Sequence, residues 1–211
     1  MKKINVDDIL SNKKYSEIRK ERRADLISYK KKRRINVGPY ATFYFESYKT
    51  MLYQIQEMLF VEGAPEGQLE DELHAYNPLI PQGSNLVTTL MFEIADENLR
   101  HEFLSSVGNV EEYIFMEIGS DKIKARFESD VERTNSKGKT SSVHFLHFDF
   151  TEDQKAKFLS KDERVCLCIG HKNYNHIAVL GEDNLKTCLL YTSPSPRDVE
   201  ESGLAGWGWK K

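Results

Sequence analysis

Glu46, Thr50, Gln54 and Glu57 follow one another at spacings of four, four and three, so a helix that includes Glu46 carries them as one stripe. Carboxylates on a helix face ligate metals in bundle proteins, most readily with a histidine three residues on. Phe60 stands at that place after Glu57, so a histidine has to come from another element. The simpler reading is a solvated helix face, although Phe43, Tyr53 and Phe60 on the same side point to partial cover. Tyr76, Asn77 and His171 join Glu46, Gln54 and Glu57 as the candidate polar site. A second group lies in Val143-His144-Phe145-Leu146-His147-Phe148-Asp149-Phe150. Its alternation puts His147 and Asp149 on one face and His144 with Leu146, Phe148 and Phe150 on the other. A histidine beside an aspartate can serve as an oriented general base; the ordinary alternatives are a surface pair for His147 and Asp149 and a hydrogen-bonded core position for His144. The third group is Cys166, Cys168, His171 and His176. Together they offer the donor set of a tetrahedral metal site, but the spacing is no known ligand knuckle, and two thiols on one strand face more often fill a core. The sequence holds no phosphate-cradling glycine loop, nucleophile elbow or His-Glu-x-x-His.

The elements that must position these residues follow from periodicity and punctuation. Residues 15–34 read as a basic helix with a narrow apolar face at Ile18, Leu26 and Ile27, stopped by Gly38-Pro39. Residues 40–46 read as a strand. Ser47 then caps a helix running to about residue 61, whose core arc is Tyr48, Met51, Leu52, Ile55, Met58 and Leu59. A short helix over 69–76 ends at Pro78. Residues 86–94 form a strand, and Asp96 caps a helix to about 105. Strands are expected over 113–118, 122–133, 140–150, 164–169 and 175–180, with Thr151 capping a helix to 158 and Asn135-Ser136-Lys137-Gly138 turning a hairpin. Strand after strand with few helices between them predicts an α+β fold: a mainly antiparallel sheet, an N-terminal helical region and helices packed on one face. One domain is expected over residues 1–187, with the basic helix at 14–34, a helical region at 47–77 and the sheet region at 84–180.

Charge is unevenly placed. Residues 1–37 hold 13 Lys or Arg against 5 Asp or Glu, whereas residues 38–187 hold 14 against 25. Such asymmetry marks nucleic-acid contact or a basic helix lying on its own acidic body; the second is the expectation, which makes nucleic acid the less favoured partner. No apolar run reaches the length of a membrane span, no apolar signal core opens the chain, and Cys166 and Cys168 are badly placed to pair with each other. A reduced, cytoplasmic setting is expected.

Several runs carry a resemblance. Arg33-Arg34-Ile35 with Gly38-Pro39, Phe45-Glu46 with Thr50, Gln54-Ile55-Gln56-Glu57-Met58-Leu59, Glu72-Leu73 and Ala75-Tyr76-Asn77-Pro78-Leu79-Ile80-Pro81 resemble the bacterial domain of unknown function 3501 family. Leu90-Met91-Phe92-Glu93-Ile94, Val143-His144-Phe145-Leu146 and His171 with Tyr174 fit it too. The resemblance implies no assigned activity, substrate, cofactor or catalytic residue. By gene association alone it implies a redox or metal-handling setting with rubrerythrin-like or iron-sulfur proteins as partners. The expected function is therefore a non-catalytic accessory or binding protein. One alternative is a metal-dependent enzyme using Glu46, Glu57 and a strand histidine; another is a nucleic-acid binder working through the basic helix. Residues 188–211 differ in kind. Cys188-Leu189-Leu190-Tyr191-Thr192-Ser193-Pro194-Ser195-Pro196-Arg197-Asp198 resembles the translation of a transposon-end and index-primer sequencing adapter, so the native sequence after 187 is expected to be missing and anything packed beyond it marginal.

Overall fold

A computed structural model describes residues 3–127, 133–136 and 138–192, with side chains followed to residue 188. The polar N-terminal segment forms α1 (Asn12–Lys31), capped by Ser11, whose hydroxyl accepts from the Lys14 amide. The helix ends sooner than its run of basic residues does. Arg34–Val37 is instead a strand, β1, and Gly38-Pro39 turns it into β2 (Ala41–Phe45) rather than stopping a helix. Gly38 has φ +73°, and a Cβ there would lie 2.6 Å from the His176 ring; both conformation and space require glycine. Ser47 caps α2 (Tyr48–Glu62) as its sequence demands, and α3 (Gln68–Tyr76) follows. Asp96 and Thr151 likewise cap α4 (Glu97–Ser106) and α5 (Glu152–Ser160).

The strands form two antiparallel sheets, not one. The first has the order β1-β2-β3-β7-β6, with β3 Asn85–Phe92, β6 Arg126–Phe127 and β7 Val143–Asp149. The second has the order β5-β4-β8-β9, with β4 Ile114–Ile118, β5 Asp121–Lys124, β8 Val165–His171 and β9 Tyr174–Val179. Phe43, Leu90, Leu146 and Phe148 of the first sheet pack against Met116, Ile123, Leu167 and Ile169 of the second. The two sheets meet at both edges. At one edge β5 and β6 are almost a single strand, broken at buried Ala125, that passes from one sheet to the other. At the other, the Tyr174 hydroxyl accepts from the amides of Tyr40 and Ala41 and donates to the carbonyl of Val37, joining β9 to the first hairpin without a ladder.

Met51, Ile55 and Leu59 of α2, with Ile80, cover the outer face of the first sheet at Val87 and Phe145. α1 lies on α2 through Tyr15, whose ring meets Phe60 at 5.6 Å. Helices thus cover one outer face, as the α+β reading requires. Within the basic stretch 14–34, Arg19 pairs with Glu57 and Arg34 with Glu93, and Arg33 is buried against the carbonyls of Phe45 and Glu46. The last helix, α6 (Glu182–Thr192), runs past residue 187. Cys188 is fully buried in the main core cluster, and the side chains that follow it lie outside the described residues. Trp207 and Trp209 lie outside the described residues.

Candidate functional site

The expected stripe divides at Ser47. Because Ser47 is the cap, Glu46 ends the strand segment and is not on α2 at all. Its carboxylate is buried and accepts from Thr50 Oγ1 and from Thr89 Oγ1, each at 2.6 Å. Glu57, on α2, turns the other way. It accepts from the Tyr15 hydroxyl at 2.6 Å and from Arg19 Nε and Nη2 at 3.0 and 2.9 Å. The Arg19 contact holds its carboxyl below the usual range despite burial, while burial and the facing Glu57 push the Tyr15 phenol up. Both carboxylates are consumed in tying elements together, and they serve different interfaces.

Gln54 and Tyr76 come near each other: burial raises the Tyr76 phenol, the Gln54 side chain opposes that rise, and the charges of Glu72, Glu62 and Glu46 add to it. Asn77 instead pins the N-terminus, accepting from the Ile4 amide at 2.8 Å and donating to the Ile4 carbonyl at 3.0 Å. His171 sits on the second sheet, its ring 5.2 Å from Tyr113 and its Nδ1 accepting from the Asn173 amide. Gln54 and Tyr76 are therefore near each other, while Glu46 is held by Thr50 and Thr89 and Glu57, Asn77 and His171 belong elsewhere.

The cysteine and histidine set does not converge. Cys166 and Cys168 are buried on the outward side of β8, opposite Val179 and Ile177. His171 and His176 pair with Tyr174 and Ile169 and so lie on the inward side. Among the described residues no three histidine, cysteine or acidic side chains are grouped to hold a metal. Burial and nearby Glu117 raise the Cys168 thiol to about 12, the range of an unreactive core cysteine. His147 is no surface residue: it is 5% exposed under the helical layer, and its Nδ1 has no hydrogen-bond partner among the described residues. Asp149 pairs with Arg126 through two bonds. His144 is the core histidine expected, its Nε2 donating to the Ser141 carbonyl at 2.9 Å.

What the residue-by-residue reading missed is the outward face of the second sheet, where large side chains stay in solvent although Cys166 and Cys168 beside them are buried. Ile177 and Val179 project from β9 at 63% and 55% exposure, and Tyr113 is 45% exposed beside β4. Over β4, β5 and the end of β8 lies a groove of about 580 Å³ lined by Glu112, Tyr113, Phe115, Lys122, Lys124 and Gly170. Lys122 Nζ lies 3.4 Å over the Phe115 ring, a cation–π contact. The signal was present in β9, where Ile177, Ala178 and Val179 run together and so place apolar side chains on both sides of the strand.

Comparison with known proteins agrees with this architecture. A crystal structure described as a novel protein of unknown function from Burkholderia pseudomallei K96243 is 31% identical, with a TM-score of 0.83, covering 91% of this chain and all of that one. No functionally curated protein matches. A family model described as protein of unknown function DUF3501 matches residues 3–190, and the chain belongs to that family.

Proposed function

We propose that this chain is a non-catalytic binding protein that acts through the outward face of its second sheet. The observation that carries the reading is the pair Ile177 and Val179, both more than half exposed on that face. Its occupant is a protein segment with apolar side chains for β8 and β9 and a carboxylate for Lys122 and Lys124, which supply positive charge along the β5 side of the face. The gene associations of the family narrow the candidates to rubrerythrin-like and iron-sulfur proteins in a redox or metal-handling system. Calorimetric titration of the full chain with those purified neighbours tests this. Native chain should bind; Ile177→Asp with Val179→Asp, and separately Lys122→Glu with Lys124→Glu, should weaken binding more than about tenfold with unfolding midpoints unchanged. Equal affinity in all three, or no binding by any candidate, refutes it.

One observation favours a second reading. Lys13, Lys14, Lys20, Arg23 and Lys31 are exposed along α1. A contact with nucleic-acid phosphates through this helix predicts affinity for duplex DNA or RNA that falls steeply with added salt; affinity indifferent to salt excludes it.

A further inference from the structure

The 3-10 turn Val110–Tyr113 ends at the groove, and its second residue, Glu111, meets His144 of β7. Both side chains are buried. His144 Nε2 donates to the Ser141 carbonyl, an atom that can only accept, and lies 3.3 Å from the Thr140 hydroxyl. In the neutral ring this leaves Nδ1 as a bare lone pair. That nitrogen faces Glu111 Oε2 at 3.6 Å, and neither atom has a hydrogen-bond partner among the described residues. Two buried acceptors so placed repel each other, and the gap is too short for a bridging water. A proton on either one removes the repulsion and lets the two atoms close from 3.6 Å to hydrogen-bonding distance.

We infer that Glu111 and His144 share one buried proton, and that this proton anchors the turn carrying Glu112 and Tyr113 of the groove, so that the docking face responds to pH. The regulatory part rests on the docking reading given above; the proton does not. Burial disfavours the charged form of each partner. It raises the Glu111 carboxyl, with Glu112 adding and Arg133 and the residue's own amide opposing. It lowers His144 to about 4, with Arg133 adding and the Ser141 bond opposing. The charges acting on the pair are thus Glu112 from the same turn and Arg133 from the neighbouring segment; Phe92 of β3 and Thr140 bring none. With both charged forms disfavoured by burial, the proton sits on Glu111 and its O–H is directed to Nδ1. Raising the pH releases that proton to solvent and leaves a carboxylate against a lone pair. Lowering it far enough adds a second proton and creates a buried imidazolium. Either change weakens the anchor.

Infrared difference spectroscopy of the full chain against Glu111→Gln reads the carbonyl stretch of a protonated carboxyl, and nitrogen NMR shows which ring nitrogen of His144 is protonated. The expected result is an acid band at neutral pH, lost as pH rises, with Nε2–H retained. Amide protection over residues 110–114 should fall at least about tenfold as the band disappears. In Glu111→Gln, whose amide can donate to the same Nδ1, protection should not change with pH. An ionised Glu111 at neutral pH, or an Nδ1–H ring, overturns the shared proton. Protection that stays constant while the band titrates overturns the anchor. Every readout is made without a partner, so failure here is separable from failure of the docking reading.

Discussion

Arg33→Met removes a buried guanidinium while keeping an unbranched apolar side chain. In the native fold Arg33 is 1% exposed. Its Nε donates to the Phe45 carbonyl at 2.9 Å, Nη2 to the Glu46 carbonyl at 2.9 Å, and Nη1 to the Thr187 carbonyl at 2.8 Å. One side chain therefore ties the end of β2 to α6. Charge-assisted bonds contribute about 1.5–3 kcal/mol each, but burying the cation costs several kcal/mol, so their sum is not the cost of removal. The carbonyls decide the balance. Those of Phe45 and Glu46 stay behind in a site closed to water, and a buried unpaired acceptor costs about 1–3 kcal/mol. With lost packing against Tyr29, whose ring centre lies 5.2 Å from the guanidinium carbon, the expected loss is about 3–5 kcal/mol, the range found when a buried charged network is broken from one side. Arg33→Lys should recover little, because one ammonium cannot span three acceptors arranged for a planar fork. Urea unfolding followed by circular dichroism gives the free energies, provided the slopes agree. A loss below about 1 kcal/mol in Arg33→Met, or full recovery in Arg33→Lys, refutes the assignment.

Three further outcomes are expected. His144 has a folded pKa of about 4 against an unfolded value near 6.5, so its neutral form contributes stability that is complete above the unfolded value and lost as pH falls toward the folded one, about 3 kcal/mol. His144→Leu should abolish that acid-side loss and leave Glu111, whose raised pKa acts in the opposite sense and favours the fold as pH falls; a variant keeping the native slope in denaturant titrations contradicts this. Tyr174→Phe deletes one donor and one acceptor that satisfy three backbone groups, and should lower stability by about 2–4 kcal/mol; an unchanged thermal midpoint would show that the seam does not depend on the hydroxyl. Truncation after Thr187 removes fully buried Cys188 and should cost about 1–3 kcal/mol, whereas a neutral result would return residue 188 to the status its adapter-like sequence implies.

The local signals were legible because they are local. Ser47, Asp96 and Thr151 each accept from the amide three residues on, which hydroxyl or carboxylate chemistry at a helix start dictates. The faces of His144 and His147 followed from the period of a strand. What escaped was non-local. β1 was hidden because Arg33 and Arg34 continue the basic composition of α1, although one is buried and the other pairs with Tyr44 across a ladder. A single residue separated Glu46 from the helix, since a cap at Ser47 ends the stripe before it begins. Glu57 looked like one of a set on its own helix, but its partners Tyr15 and Arg19 come from about 40 positions earlier, a pairing that helical spacing does not report. His147 was read as exposed because its burial depends on the layer formed by α2 and α3. The division into two sheets depends on the order of pairing, which alternation within a strand leaves open.

An antiparallel sheet with one solvated face needs no partner, provided its outward positions are polar, and half of this face follows that rule. β5 presents Lys122 and Lys124, and β4 presents Glu117 opposite Lys122. Lysines on an edge strand also discourage pairing with another chain. On β8 and β9 the rule fails: the outward positions include Cys166 and Cys168, then Ile177 and Val179. Core packing does not explain the last two, because the core contacts of β9 come from Tyr174 and Ala178 on the inward side. Nor does strand propensity alone, since threonine has a similar preference and would be solvated. The apolar outward positions thus run from Phe115 of β4 through Cys166 and Cys168 to Ile177 and Val179 and are bordered by the charge of Glu117, Lys122 and Lys124, the layout of a contact surface with an apolar centre and a polar rim. Exchanging Ile177 and Val179 for threonine should then leave stability within about 0.5 kcal/mol while reducing binding. If the double variant unfolds instead, those side chains hold the fold together and the face has no claim to be a docking surface.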